Sequence, residues 1–231
     1  MLHACVAGCV VLGCAVGSFG ATWVQWSGNG SFYAVGLAPE GITWSDARLA
    51  AVAQGADLVS ITTPAENTFV FSLVNDPALF IPEVDTPAGL GPWIGLWKPA
   101  GTWVWTDGTP LGYDNWAPGE PNGVGGVEFR GHFFGPTGTP TPQWNDFPGT
   151  GSTFPGNERP VAYIMERTRC PGDVNGDLST DFNDLNVILD NWGMAVAPGT
   201  DGDLDRSGTV DFGDLNLLLG AWGEVCEVAG S

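Results

Sequence analysis

Residues 93–108 read Trp93-Ile94-Gly95-Leu96-Trp97-Lys98-Pro99-Ala100-Gly101-Thr102-Trp103-Val104-Trp105-Thr106-Asp107-Gly108. Large apolar side chains recur at strand spacing on both sides of the Pro-Ala-Gly break, and Asp107-Gly108 supplies a turn. Two short strands are expected, and the Trp-Ile-Gly-Leu stretch is assigned to packing rather than chemistry. N-terminal to them, Thr43-Trp44-Ser45-Asp46-Ala47 opens a segment with Ala47, Leu49, Ala50 and Ala53 at helical spacing. Ser45 or Asp46 can cap it, which predicts a helix of about three turns. Asp57-Leu58-Val59-Ser60-Ile61 alternates like a strand, and Thr63-Pro64-Ala65-Glu66 starts a second helix with Phe69, Val70, Leu73 and Val74 on its apolar face. Two helices followed by short strands and long loops predict an α+β domain.

At 231 residues the chain has room for one sizeable core and a smaller module. Its 7 Lys+Arg against 26 Asp+Glu give a formal net charge of −19, which repels phosphate backbones and anionic headgroups and excludes nucleic acid as a partner. So many carboxylates repel one another unless cations neutralise them, and oxygen-seeking cations such as calcium suit that task. Residues 1–21 form a short apolar run ending in Ser18, Gly20 and Ala21, which reads as a signal peptide; the alternative is a lipoprotein cleavage box with the lipid on Cys14. No other stretch could span a bilayer. The protein is therefore expected to be secreted or at the cell surface.

Residues 22–168 hold nine of the eleven tryptophans and no cysteine. Cys5, Cys9 and Cys14 lie in the leader, leaving Cys170 and Cys226 to bracket a C-terminal segment, residues 170–226. A bridge between them would staple a module too small to build much core, the alternative being two unrelated thiols.

The segment 22–168 resembles a C-type lectin domain. The resemblance rests on Thr43 to Ala47, Leu58-Val59-Ser60-Ile61 followed by Glu66, Trp93-Ile94-Gly95-Leu96, Trp103 to Gly108, Asn115-Trp116, Glu120-Pro121-Asn122 and Trp144-Asn145-Asp146, in the family's order and spacing. It implies a calcium ion held by Glu120, Asn122, Glu128, Asn145 and Asp146, with a cis bond before Pro121 and two vicinal sugar hydroxyls at the open positions. In similar lectins Glu-Pro-Asn accompanies mannose-type sugars and Gln-Pro-Asp galactose, so mannose-type glycans are the expected ligands. Gly123 and Phe129 stand where many members carry acidic ligands, so an auxiliary calcium site is expected to be lost. His132, beside Phe133 and Phe134, is assigned to packing.

A repeat with a period of thirty fills the C-terminal segment. Gly172 to Asp177, Asp181 to Asn186 and Trp192-Gly193 are echoed by Gly202 to Ser207, Asp211 to Asn216 and Trp222-Gly223. Each copy reads as a calcium loop and a helix: Asp173, Asn175, Asp177, Ser179, Asp181 and Asp184 fall at loop positions 1, 3, 5, 7, 9 and 12, as do Asp203, Asp205, Ser207, Thr209, Asp211 and Asp214. Phe182, Leu185, Ile188, Leu189 and Trp192 share one helical face, and so do Phe212, Leu215, Leu218, Leu219 and Trp222; the two faces are expected to bury each other. This resembles a dockerin, an EF-hand-like all-α module that anchors exported bacterial proteins through a cohesin partner. Leu178 replaces the usual Gly at position 6 of the first loop and must take a conformation that glycine adopts freely, so weaker calcium binding is expected there.

The combined expectation is a secreted, calcium-dependent glycan-binding protein with a dockerin-like anchor and no enzyme activity. Two alternatives stay open: a lectin-fold scaffold for protein or cell-surface attachment, and a glycosidase using paired carboxylates.

Overall fold

The computed structural model describes residues 21–83, 87–151, 158–167 and 170–225, so residues 1–20 of the signal peptide expected over 1–21, and Cys226, lie outside the described residues. In chain order the elements are β1 (Val24–Gln25), β2 (Phe32–Leu37), α1 (Trp44–Val52), β3 (Asp57–Leu58), α2 (Pro64–Val74), β4 (Ile81–Pro82), β5 (Ala88–Trp97), β6 (Val104–Trp105), β7 (Glu128–Pro136), β8 (Gln143–Pro148), β9 (Ala162–Arg167), α3 (Phe182–Asp190) and α4 (Phe212–Gly220), with three short 3₁₀ turns between them. The strands form one mostly antiparallel sheet in the order β1-β2-β9-β5-β7-β8, with β3 paired to β9, and β4 and β6 to β5. This is an α+β arrangement of two helices, short antiparallel strands and long loops, as expected for residues 22–168.

The details correct the sequence reading in places. Thr43 caps α1, not Ser45 or Asp46: its backbone is extended, and its side-chain oxygen accepts the Asp46 N–H. The buried stripe of α1 is Trp44, Ala47 and Ala51, spaced i, i+3, i+7, which turns Leu49 outward at 67% exposure. Leu58, Val59 and Ile61 do not alternate in burial. Val59 lies between two strands, donating to the Ile164 carbonyl at 2.9 Å and accepting from the Gly95 N–H at 2.8 Å, so both of its backbone edges are paired. That approach explains the glycine in Trp-Ile-Gly-Leu: a Cβ at Gly95 would lie 2.5 Å from the Leu58 carbonyl oxygen and 2.7 Å from that of Val59.

The core is aromatic. Trp105, Trp144, Phe133, Phe80 and Tyr33 are buried with Ile61, Ile94, Leu96 and Ile164, and a second cluster forms around Trp44, Trp93, Phe147 and Met165. Trp105 and Tyr113 each meet Trp144 edge to face with centroids 5.6 Å apart, a geometry that adds about 0.5–1.5 kcal/mol per pair beyond area burial. This packing holds together a domain without cysteines.

Residues 170–225 form two loop–helix repeats with reciprocal pairing. The first loop pairs Ser179 with Val225 after α4, and the second pairs Thr209 with Ala195 after α3. Only the middle of each helix reaches the shared core of Val174, Ile188, Val210 and Leu218. The predicted mutual burial of both helix faces is therefore half right. Phe182 and Phe212 are 71% and 70% exposed, and Leu189, Leu219, Trp192 and Trp222 also reach solvent. Each helix has nine residues, about two and a half turns, and its terminal aromatics lie beyond the shared core. The ends meet as pairs instead, Phe182 on Trp222 and Trp192 on Phe212, each with centroids 5.0 Å apart.

The repeats sit against the β1–β2–β9 side of the sheet. Arg167, at the end of β9, stacks 4.1 Å from the Trp23 ring and attracts Asp173 and Asp177. Arg206, in the second loop, donates to the carbonyls of Ser27 and Gly28.

Candidate carbohydrate and calcium site

The antiparallel β7–β8 pair sets Glu128 opposite Pro148, Gly131 opposite Asp146 and His132 opposite Asn145. The loop before β7 folds back onto this pair. Asp146 accepts from the backbone N–H of Asn122 through Oδ1 and of Gly123 through Oδ2, both at 3.0 Å. Glu128 Oε2 accepts from the Val124 N–H at 2.6 Å. Asn122 Nδ2 donates to Glu120 Oε1 at 3.0 Å, and the Glu120–Pro121 bond is cis. Four of the five predicted residues, Glu120, Asn122, Glu128 and Asp146, are thus laced around the amides of residues 122–124. Asn145 is set back: it is 9% exposed, with Nδ2 3.4 Å from His132 Nε2 and Oδ1 without a hydrogen bond.

The electrostatics fit a cation. Burial first, then the charges of Asp146, Glu120 and Glu83, push Glu128 up to about 7, against the lowering hydrogen bond from Val124. Glu120 is also raised, by burial and then by Asp146. Carboxylates that disfavour one another's ionisation, beside a buried carbonyl-type oxygen with no partner, are a donor set that a hard divalent cation satisfies.

In the C-terminal repeats, carboxylate oxygens of Asp173, Asp177 and Asp184 lie within 4.8 Å of one another, and so do those of Asp203, Asp205 and Asp214. Asp184 Oδ1 accepts from the Val174 and Asn175 N–H groups, and Asp214 Oδ1 from those of Leu204 and Asp205. Asp181 and Asp211 stand outside these clusters as N-caps of α3 and α4, each in a capping box with the Asp three residues on. Asn175 and Ser179 hydrogen-bond Asp177, while Ser207 donates to Asp203 and Asp205 through its N–H and to the Thr209 carbonyl through its hydroxyl. Leu178 takes φ 73°, as its loop position demands.

One cluster escaped the sequence reading. Glu66, at the start of α2, and Glu166, on β9, share the Tyr33 hydroxyl at 2.6 and 3.1 Å, beside an open cleft of about 350 Å³ lined also by Asn29, Ser31 and Asp107. Burial and then the Glu66 charge push Glu166 up to about 7. Such oxygens suit a hard cation or a shared proton. A hundred residues separate the two glutamates, and only Glu66 carried a motif signal.

Residues 40–150 match the family described as Lectin C-type domain. The perlucin-like protein of Mytilus galloprovincialis is 30% identical over 129 residues, covering 54% of this chain and 72% of that protein. The chain belongs to the C-type lectin family. C-type lectin domain family 4 member K of Homo sapiens is 33% identical over 132 residues, and C-type mannose receptor 2 of Homo sapiens 34% identical over 110. These alignments cover 54% and 47% of this C-type lectin but only 34% and 7% of those longer proteins. Among solved structures, the cow C-type carbohydrate-recognition domain of CD23, determined in the presence of GlcNAc2Man3 oligosaccharide, aligns with TM-score 0.48 and 26% identity over 64% of this chain and 94% of that one. The relatives named here are animal proteins, whereas the repeat's resemblance implied a bacterial one. No helix among the described residues is long and apolar enough to cross a membrane.

Proposed function

We propose that the protein is a secreted, calcium-dependent glycan-binding lectin with mannose-type preference, carrying a calcium-binding, dockerin-like module as an anchor. The observation that carries the glycan reading is the convergence of Glu120, Asn122, Glu128 and Asp146 on one short loop, with the unpartnered Asn145 Oδ1 behind it. These five residues would hold the ion. A bound calcium would supply open coordination positions for two vicinal hydroxyls. The chain's own part is to orient those hydroxyls: a carboxylate accepts from each and an amide N–H donates to each. Glu120 preceding Asn122 sets the hand of that pattern and supports equatorial 3- and 4-hydroxyls over the galactose arrangement. The carboxylates of this loop are taken up as ligands to the ion, which leaves no acid and base beside the sugar, and we infer a binding protein, not an enzyme.

For the anchor, the support is the doubled aspartate cluster, and the ligand sets are those at loop positions 1 to 12 named above. A cohesin-like protein is the proposed partner, and a Cys170–Cys226 bridge is the proposed staple, Cys170 being buried and disulfide-bonded. A second reading, attachment to a protein through this module without sugar, is favoured by the exposed Phe182/Trp222 and Trp192/Phe212 pairs. A glycan array probed with the full chain in calcium and in chelator tests the main reading. Chelator-sensitive binding to mannose-type glycans is expected; a galactose preference, or equal binding in chelator, would refute it.

A further inference from the structure

Asn145 has two possible amide orientations, and only one of them serves a cation. With the carbonyl oxygen turned toward the site, Oδ1 can be a ligand; with the amide reversed, two N–H donors face the ion and repel it. The group that can choose between them is His132. The two residues are direct cross-strand partners on β7 and β8, so their side chains leave the same face of the sheet. His132 is completely buried in an aromatic box: Trp93 lies 5.8 Å, Phe147 5.4 Å and Phe134 6.0 Å from its ring centroid, each near edge to face. The box leaves the ring no freedom to swing away. A neutral imidazole has one bare nitrogen and one N–H. Nε2 faces Asn145 Nδ2 at 3.4 Å, while Asn145 Oδ1 and the other ring nitrogen, Nδ1, make no hydrogen bond.

Resting on the calcium reading above, we propose that His132 is a positioning residue for the sugar site: its bare Nε2 accepts from Asn145 Nδ2 and holds the amide with Oδ1 free for the ion. The opposite tautomer, with a proton on Nε2, would pull Oδ1 toward the ring and present Nδ2 to the site. The amide group keeps a second N–H, so accepting one bond from it does not use up its donor capacity. Partners of this kind behind metal ligands typically change metal affinity by about 10–100-fold.

The test uses the full chain. His132→Phe fits the aromatic box and removes the acceptor; His132→Gln keeps an oxygen acceptor near the Nε2 position. Calcium dependence is read as the calcium concentration giving half-maximal retention on immobilised mannose, with near-ultraviolet circular dichroism as the check on packing. We expect His132→Phe to need about tenfold more calcium than wild type and His132→Gln to stay within about threefold. Equal behaviour of His132→Phe and wild type, or an equal loss in both variants with packing intact, overturns the proposal. The imidazole tautomer of the wild-type protein, read from two-bond ¹H–¹⁵N correlations, decides the question even if a variant fails to fold: a protonated Nε2 overturns the proposal and a bare one supports it. Asp146→Ala separates the two levels of the argument. If it leaves calcium-dependent retention unchanged, the calcium site itself is misassigned; if it abolishes retention while His132→Phe does nothing, only the role of His132 falls.

Discussion

Exchanging the residues at position 6 of the two candidate calcium loops offers a controlled test of the repeat, because the structure supplies its own reference. Leu178 sits at φ 73°, and its N–H donates to Asp173 Oδ2 at 2.9 Å; Gly208 sits at φ 87°, and its N–H donates to Asp203 Oδ2 at the same distance. The backbone task is identical, and only the side chain differs. A left-handed conformation costs a non-glycine residue about 1–2 kcal/mol. Glycine in its place loses more chain entropy on ordering, about 0.5–1 kcal/mol. The difference favours glycine by roughly 0.5–1 kcal/mol, about two- to fivefold in affinity if the loop orders with the metal. Leu178→Gly should tighten the first loop by that factor, less whatever contact the half-buried leucine gives up. Gly208→Leu should weaken the second loop by a similar factor, since a Cβ there meets nothing closer than the Val196 carbonyl oxygen at 3.7 Å and the cost is conformational, not steric. Calcium titration of the full chain, followed by calorimetry and by the amide resonances of residues 178 and 208, reads each loop separately. In the double variant the order of filling should invert. If Leu178→Gly leaves the first loop no tighter while Gly208→Leu leaves the second unchanged, the loops do not use position 6 in this way.

Four further outcomes are expected. Exchanging Glu120 for Gln and Asn122 for Asp keeps the oxygen count but reverses amide and carboxylate, so retention on mannose should fall by about 1.5–3 kcal/mol per hydroxyl while calcium binding survives; Asp146→Ala should abolish both. Chelation with the cysteines reduced should remove the helical signal of the C-terminal repeats, since saturating calcium at a thousandfold excess over Kd contributes about 4 kcal/mol, comparable with the stability of a small domain. In chelator, the lectin domain should lose stability as pH rises: Glu166 is raised to about 7 when folded, so its contribution is fully present below the unfolded value near 4.5 and is lost by pH 7. That 2.5-unit difference is on the order of 3 kcal/mol, and Glu166→Gln should flatten the dependence seen in thermal melts. Arg206→Ala, which removes the donor to Ser27 and Gly28, should loosen the repeats from the lectin domain; a larger radius of gyration by small-angle scattering with unchanged calcium affinity is expected, and an unchanged radius would count against that contact.

What could be read from the sequence was what lies close together in it or recurs. Glu120-Pro121-Asn122 and Trp144-Asn145-Asp146 are short words whose order names a family, and the thirty-residue period fixes which aspartates share a loop. The positive φ of Leu178 followed from that register alone. Contacts made by the folded sheet were not legible. Glu66, Glu166 and Tyr33 meet only because the β2–β9 register sets Tyr33 opposite Glu166 and α2 packs on β2, and His132 gained a partner only through the register of β7 on β8. The exposure of Phe182 and Trp192 was misread because periodicity reports which face a residue occupies, not how far along that face the core extends.

The sheet order bears on whether the two proposed activities can coexist. Along β1-β2-β9-β5-β7-β8, the candidate sugar residues Glu128, Asn145 and Asp146 occupy the β7–β8 edge. The repeats touch the other side, where a Cβ at Gly176 would lie 3.0 Å from Phe32 on β2 and Arg167 on β9, and Arg206 donates to the Gly28 carbonyl beside β1. Three strand positions separate β9 from β8 in that order, about 14 Å at the usual spacing of neighbouring strands. A glycan on the β7–β8 edge therefore need not compete with the repeats for surface. The exposed Phe182/Trp222 and Trp192/Phe212 pairs stay accessible at the same time. Competition between mannose-type ligands and a partner of the repeats would contradict this geometry; independent binding, each arm abolished by chelator through its own aspartates, is what it requires.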